Sequence, residues 1–252
     1  MIRLIDLTKW YERLIAVDSL NLEVEAGEIF GFLGPNGAGK TTTVKMMAGL
    51  LKPNKGSILL AGHDLEKEPV AAKSLFGYIP DRPFLYEKLT AREYLRFTAA
   101  LHGIDGQRAS GRTEELLSLF ELKEWGDELI EGFSHGMRQR LVISGALIHR
   151  PRIIIVDEPM VGLDPKGVRL VKGIFRELAA QGASIFMCTH SLEIAEEMCH
   201  RVAILQGGKI LAQGTLAELR RISGSEGERL EEIFLKLTGA EDLQVAIEAL
   251  RA

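Results

Sequence analysis

An α/β fold with a mostly parallel sheet, interrupted by a helical insertion and closed by a short helical ending, is predicted from three features of the residue pattern. Short apolar, β-branched runs alternate with helix-period segments on both sides of the chain's middle. The middle itself, from about residue 82 to Arg150, carries helical periodicity alone. A glycine-rich loop joins a buried strand to a helix. Met1 to Leu7 and Leu20 to Val24 are expected as strands, the second because Leu20, Leu22 and Val24 alternate with polar neighbours. Between them, Lys9-Trp10-Tyr11 is expected in a turn, its aromatics either packed half-buried or offered as a stacking platform for adenine. Ile29 to Leu33 is a buried strand. A helix follows, with Val44, Met47, Ala48 and Leu51 on one face.

Pro53-Asn54-Lys55-Gly56 is a turn, Ser57 to Ala61 a strand and Gly62-His63 another turn, with His63 expected solvated and partnerless. In the insertion, Ala91, Tyr94, Leu95 and Thr98 mark one helical face and Leu116, Leu117 and Phe120 another. Strands resume at Ile153 to Val156 and Ser184 to Cys188. Helices are expected from about Pro165 to Gln181 and from Ser191 to His200. Val202 to Leu205 and Ile210 to Ala212 flank the hairpin signal Gly207-Gly208. From Gly224 a polar linker, Ser225 to Arg229, leads to two amphipathic sets, Leu230, Ile233, Phe234 and Leu237, then Leu243, Ala246, Ile247 and Leu250, separated by Gly239 as a helix stop. Such a tail either packs on its own core or binds a partner.

A chain of 252 residues, 46% of them hydrophobic, has ample material for a buried core. Its formal net charge of -4 argues against a dedicated nucleic-acid surface. The two cysteines, Cys188 and Cys199, show no paired metal spacing and follow no leader-like segment, which suits a reduced cytoplasmic setting. No apolar stretch approaches the ~20 residues a membrane span requires, so a membrane role is expected through a partner.

Gly34-Pro35-Asn36-Gly37-Ala38-Gly39-Lys40-Thr41-Thr42 fits the phosphate-loop pattern G-x-x-x-x-G-K-[ST] at every fixed position, between a strand and a helix as that pattern demands. Glycines let the backbone wrap a phosphate, and successive N–H groups with the helix N-terminus supply positive potential. Lys40 adds a full charge for the β and γ phosphates, and Thr41 offers a hydroxyl to Mg²⁺. A second chemical centre is Ile153-Ile154-Ile155-Val156-Asp157-Glu158-Pro159. A carboxylate at the end of a buried strand needs a partner, and Mg²⁺ held by Asp157 supplies one. Glu158 would then orient or deprotonate a water beyond the γ-phosphate.

Between these centres stands Phe133-Ser134-His135-Gly136-Met137-Arg138-Gln139-Arg140; after them come Val161-Gly162-Leu163-Asp164 and Thr189-His190-Ser191. In this order and spacing the set resembles the ATP-binding subunit of an ABC transporter of exporter type, over nearly the whole chain. The eight-residue segment resembles the L-S-G-G-Q signature, with His135 for the first glycine and Met137 for the glutamine. Asp81 stands where the family usually has a glutamine that contacts Mg²⁺ and senses the membrane partner.

The resemblance implies a P-loop NTPase core with an antiparallel β region at the N-terminus, a helical insertion and a short C-terminal helical extension. Residues 1–81 and 151–223 would form the RecA-like ATP-binding core, 82–150 the signature subdomain and 224–252 the extension. It further implies that Tyr11 stacks adenine and that Asp81 joins Thr41 and Asp157 around Mg²⁺. His190 would contact the γ-phosphate and hold the water with Glu158, and Asp164 would lie at the dimer contact beside the nucleotide. Ser134, a good N-cap, and Gly136 would form an anion edge for the ATP of a second copy, giving a dimer of like subunits with nucleotide in the interface. The implied activity is ATP hydrolysis by a subunit peripheral on the inner face of the cell membrane, driving a separately encoded permease that docks near Asp81 to Lys88. The competing readings are a soluble ABC-type ATPase acting on nucleic acid or ribosomes, and a small-molecule phosphotransferase.

Overall fold

In a computed structural model, which describes residues 1–224 and 227–239, the elements follow in this order. They are β1 (Ile2–Tyr11), β2 (Leu14–Val24), β3 (Ile29–Leu33), α1 (Lys40–Met47), β4 (Lys55–Leu60), β5 (His63–Asp64), α2 (Pro69–Ser74) and β6 (Phe76–Ile79). Then come α3 (Ala91–Leu101), α4 (Gly106–Leu119), two short 3-10 turns, α5 (His135–Leu147), β7 (Ile153–Asp157), α6 (Pro165–Ala180) and β8 (Ser184–Cys188). The described part closes with α7 (Leu192–Met198), β9 (Arg201–Gln206), β10 (Lys209–Gly214), α8 (Leu216–Ser223) and α9 (Leu230–Thr238). The second amphipathic set, Leu243 to Leu250, and linker residues Ser225 and Glu226 lie outside the described residues.

Two sheets result, a four-stranded one in the order β2-β1-β4-β5 and a six-stranded one in the order β10-β9-β3-β8-β7-β6. The first is antiparallel throughout; in the second only β10 runs against its neighbour. The unbroken apolar runs of β3, β7 and β8 have a simple cause, since both faces of this sheet are covered and every position is buried. Ile154, Val156, Ile185 and Met187 face Leu141, Val171 and Phe175 of α5 and α6. The alternate residues Ile153, Ile155, Phe186 and Cys188 face Val44, Met46 and the antiparallel sheet. Each such side chain contributes about 1.5–3 kcal/mol relative to exposure, which holds the register.

The aromatic pair Trp10-Tyr11 is not in a turn. It ends β1, with Tyr11 paired to Leu14, and the turn is Glu12-Arg13. Cross-strand pairing and the cation contacts of Lys55 over Trp10 and Lys9 over Tyr11 extend the strand beyond what local alternation indicates. His63 is likewise neither in a turn nor partnerless, since it starts β5 and its Nδ1 lies 3.1 Å from Glu68 Oε1. Helices α2 and α8 were not expected. The Thr215-x-x-Glu218 capping box that starts α8 is a signal the sequence does carry. Gly239 ends α9 at φ 68°, as a glycine stop should, and Leu230 and Ile233 of that helix bury against Ile204 and Leu219.

Candidate functional site

Three neighbouring parallel strands, β3, β8 and β7, deliver their carboxyl ends to one place. Register puts Phe32 opposite Cys188 and Cys188 opposite Asp157, so the residues that follow each strand meet at one level. This is where an open parallel sheet places its ligand.

The glycine-rich loop leaves β3 and is pressed between β2 and β9. A Cβ on Gly39, whose φ is +105°, would lie 2.4 Å from the Ala16 carbonyl, and one on Gly34 would lie 2.6 Å from that of Leu205. Neither position tolerates a side chain, so the backbone itself lines the loop. Pro35, Asn36 and Gly37 are exposed and Ala38 is buried. Lys40 Nζ is held across the loop, donating to the carbonyls of Gly34 at 2.6 Å and Pro35 at 3.1 Å. Thr41 is exposed in the first turn of α1, Thr42 half-buried, and Thr43 is buried with its hydroxyl on Gly39 O at 3.0 Å.

Asp157 is buried at the end of β7. Burial raises its pKa above the ordinary carboxylate value and the charges of Asp81 and Glu158 add to this; a hydrogen bond from the Cys188 thiol and the charge of Lys40 act the other way. Among the described residues no cation is ion-paired with it. The same environment acts on Tyr78, pushed up to about 12 by burial and then by Asp157 and Asp81, and raises the Cys188 thiol. A buried carboxylate that feels the charge of Lys40 but is ion-paired with no described cation fits a divalent cation.

Glu158 follows at φ 51°, its N–H donating to Cys188 O at 2.9 Å. Its carboxylate is gripped from the end of β8. Thr189 Oγ1 donates to Oε2 at 3.0 Å, His190 N donates to Oε1 at 2.8 Å, and His190 Nδ1 lies 2.7 Å from the same oxygen. The histidine side chain is 69% exposed and the glutamate 18%, so the pair lies at the border between core and solvent.

Ser134 is the N-cap of α5, its Oγ accepting from Met137 N at 3.3 Å; it and His135 are exposed. The segment after Glu158 packs on this helix start, with Gln139 Nε2 donating to Pro159 O at 3.4 Å. Asp164 caps α6, accepting from Gly167 N at 3.0 Å. Asp81 is exposed two residues beyond β6, whose Ile79 pairs with Val156. Tyr11 is 46% exposed at the end of the hairpin whose second strand carries Ala16 against Gly39.

The family model described as ABC transporter matches residues 17–161. The chain belongs to the ABC transporter family. This ABC ATPase is 38% identical over 233 residues to the ABC-type transporter ATP-binding protein EcsA of Bacillus subtilis (strain 168), covering 92% of this chain and 94% of that one. It is also 38% identical to the daunorubicin/doxorubicin resistance ATP-binding protein DrrA of Streptomyces peucetius, over 89% of this chain and 68% of the relative. A solved ATP binding subunit of an ABC transporter superposes with TM-score 0.90 at 35% identity, over 94% of this chain and 99% of that one. A dimeric ATP-binding cassette in a post-hydrolysis state bound to ADP and Pi superposes at TM-score 0.78 and 25% identity, over 86% and 99%.

In this ABC ATPase the structure brings together Lys40, Asp157, Glu158 and His190, with Asp81 in electrostatic reach of Asp157. Thr189 and Cys188 join them, and sequence reasoning missed both. Cys188 was expected only as the last residue of a strand, and nothing local in Thr189 shows that it will face a carboxylate from another strand. A groove of about 1170 Å³ between α4 and α6 is lined by none of these residues.

Proposed function

We propose that this ABC ATPase closes around ATP as a dimer of two copies, and that the closure drives a separately encoded membrane permease in the direction of export. The observation that carries the reading is the convergence of the Lys40 loop, Asp157 and the Glu158–His190 pair at the ends of three adjacent strands. Lys40 would exchange its two carbonyl partners for β and γ phosphate oxygens, with loop N–H groups and Tyr11 positioning the rest of the nucleotide. Thr41, Asp81 and Asp157 would hold Mg²⁺, which when bound neutralises charge between the β and γ phosphates. Glu158, steadied by Thr189 and His190, would orient the attacking water and accept its proton. Ser134 and Gly136 would meet the γ-phosphate held by the second copy, with Asp164 at the same contact.

Residues 1–81 and 151–223 would act as the ATP-binding core, 82–150 as the signature subdomain and 224–252 as an extension. The permease would dock on the segment from Asp81 to Lys88, where Phe84 is 91% exposed. That segment is tied to the signature helix by the ion pair of Glu87 with Arg138, and to the turn before that helix by Lys88 Nζ, 2.6 Å from Glu131. Pressure there would reach Ser134 within one helical turn. No described helix is long and apolar enough to cross a membrane, which suits a peripheral subunit on the cytoplasmic face. Similarity to resistance ATP-binding proteins supports export.

Glu158→Gln tests the proposal. The amide keeps the shape of the side chain and loses the base, so ATP binding persists, turnover falls by roughly 10²-fold or more, and a nucleotide-bound dimer accumulates. Gel filtration with ATP that returns only monomer for this variant would falsify the closure.

A further inference from the structure

We infer that His135 is a positioning residue for ATP turnover, joining the signature edge to the loop after Glu158 within one subunit so that both move as a unit. The inference rests on the proposed closure and adds a means of coordinating it. Gly162, in the loop between β7 and α6, has φ +78°, and a Cβ built there would lie 1.8 Å from His135 Cδ2 and 2.3 Å from Nε2. The imidazole therefore fills the space that a side chain at residue 162 would occupy. On the next residue of the helix, a Cβ on Gly136 would lie 3.2 Å from the Gly162 carbonyl, so the two backbones are in close approach as well. One turn further along, Gln139 is fully buried and donates to Pro159 O at 3.4 Å. Three successive contacts thus fasten the first turn of α5 to residues 159–162, the stretch that begins at Glu158.

The consequence is mechanical. Glu158 sits at the ATP bound by its own subunit, whereas Ser134 and Gly136 face the ATP of the second copy. With a glycine at 135 the first turn of α5 would rest on Gly162 through backbone alone. With histidine the gap is filled, and a shift of the 158–162 segment when ATP enters one site is passed to the edge that completes the other. Close-packed contacts transmit displacement where open space absorbs it. His135 acts through these edges and is not itself a group that touches the reacting atoms.

The experiment compares His135→Gly, His135→Gln, Gly162→Ala and the double variant His135→Gly/Gly162→Ala, all in the full chain. Three readouts are taken, namely binding of a fluorescent ATP analogue, kcat and KM for ATP, and the thermal midpoint as a check of folding. His135→Gly is expected to bind the analogue as the unmodified chain does and to lose roughly tenfold in kcat, since a displaced group is costly to turnover even when it is remote from the chemistry. His135→Gln, planar and of similar reach, is expected to recover most of that loss. Gly162→Ala is expected to lose turnover because its methyl meets the imidazole. Adding His135→Gly to it is expected to restore part of the rate, a non-additivity that independent sites do not show.

Unchanged kcat in His135→Gly, or strictly additive losses in the double variant, would overturn the inference. Should Gly162→Ala fail to fold, the His135→Gly and His135→Gln pair decides alone. If the unmodified chain neither hydrolyses ATP nor dimerises with it, the proposed closure itself has failed. A chain that does both while His135→Gly is indistinguishable from it removes only the role of His135.

Discussion

Lys40 is held across its loop by two backbone carbonyls, of Gly34 and Pro35, so its ammonium is fixed in place. Removing it takes away the charge proposed to face the phosphates and leaves the fold of the loop to its glycines. Lys40→Ala is therefore expected to weaken ATP binding about 100-fold or more while the thermal midpoint changes little. Calorimetric titration with ATP reads this directly, and unchanged affinity would remove Lys40 from the site. At Glu158 every oxygen is already engaged by Thr189 or His190, which explains why a φ of 51° is retained at a residue that is not glycine.

Helices begin where their caps are. Thr90 starts α3 with a full capping box, its hydroxyl accepting from Glu93 N at 3.2 Å while Glu93 Oε2 accepts from Thr90 N at 2.9 Å. Substituting Thr90→Ala removes one of these bonds far from the nucleotide loop and should cost about 1 kcal/mol. Urea unfolding measures the loss, and ATP affinity is expected to stay the same. The opposite outcome, full stability with impaired binding, would mean that α3 acts on the site by a route other than its own integrity. Ser134 uses the same device at the start of α5, so Ser134 carries both a cap and a proposed anion contact, and its substitution would mix the two effects.

For the whole molecule the informative joint is the one between the helical insertion and the strands. His149, after α5, lies 3.1 Å through Nε2 from the Phe76 carbonyl at the start of β6. Its ring stacks on that of His102, after α3, at 3.7 Å between centroids and 4° between planes. Burial, with a smaller effect of His102, lowers the His149 pKa to about 4, against a hydrogen bond to Phe76 that raises it. A base whose pKa is lowered by folding binds fewer protons in the native state than when unfolded. The stability it confers is complete above about pH 6.5 and is lost as the pH falls toward 4. Urea unfolding between pH 7.5 and 4.5 should show this slope, and His149→Gln should flatten it; an unchanged slope would place the acid sensitivity elsewhere.

Much of the architecture was legible in the residue order because its causes are local. Strands β3, β7 and β8 read as unbroken apolar runs, the phosphate loop as a fixed glycine spacing, Ser134 as a cap before a helical period, and the end of α9 as a glycine stop. The hairpin of β1 and β2 was underestimated because its last pairs, such as Tyr11 with Leu14, are held by cross-strand contacts and not by alternation.

What the sequence determined by itself, then, was which segments must be buried and which loop carries the phosphate-binding pattern, since both depend on residues adjacent in the chain. Only the tertiary structure decided that β8 lies between β3 and β7, and with that order came Cys188 beside Asp157, Thr189 and His190 on Glu158, and His135 over Gly162. Strand order follows from how several apolar faces pack at once, and no periodicity within a single segment contains that information.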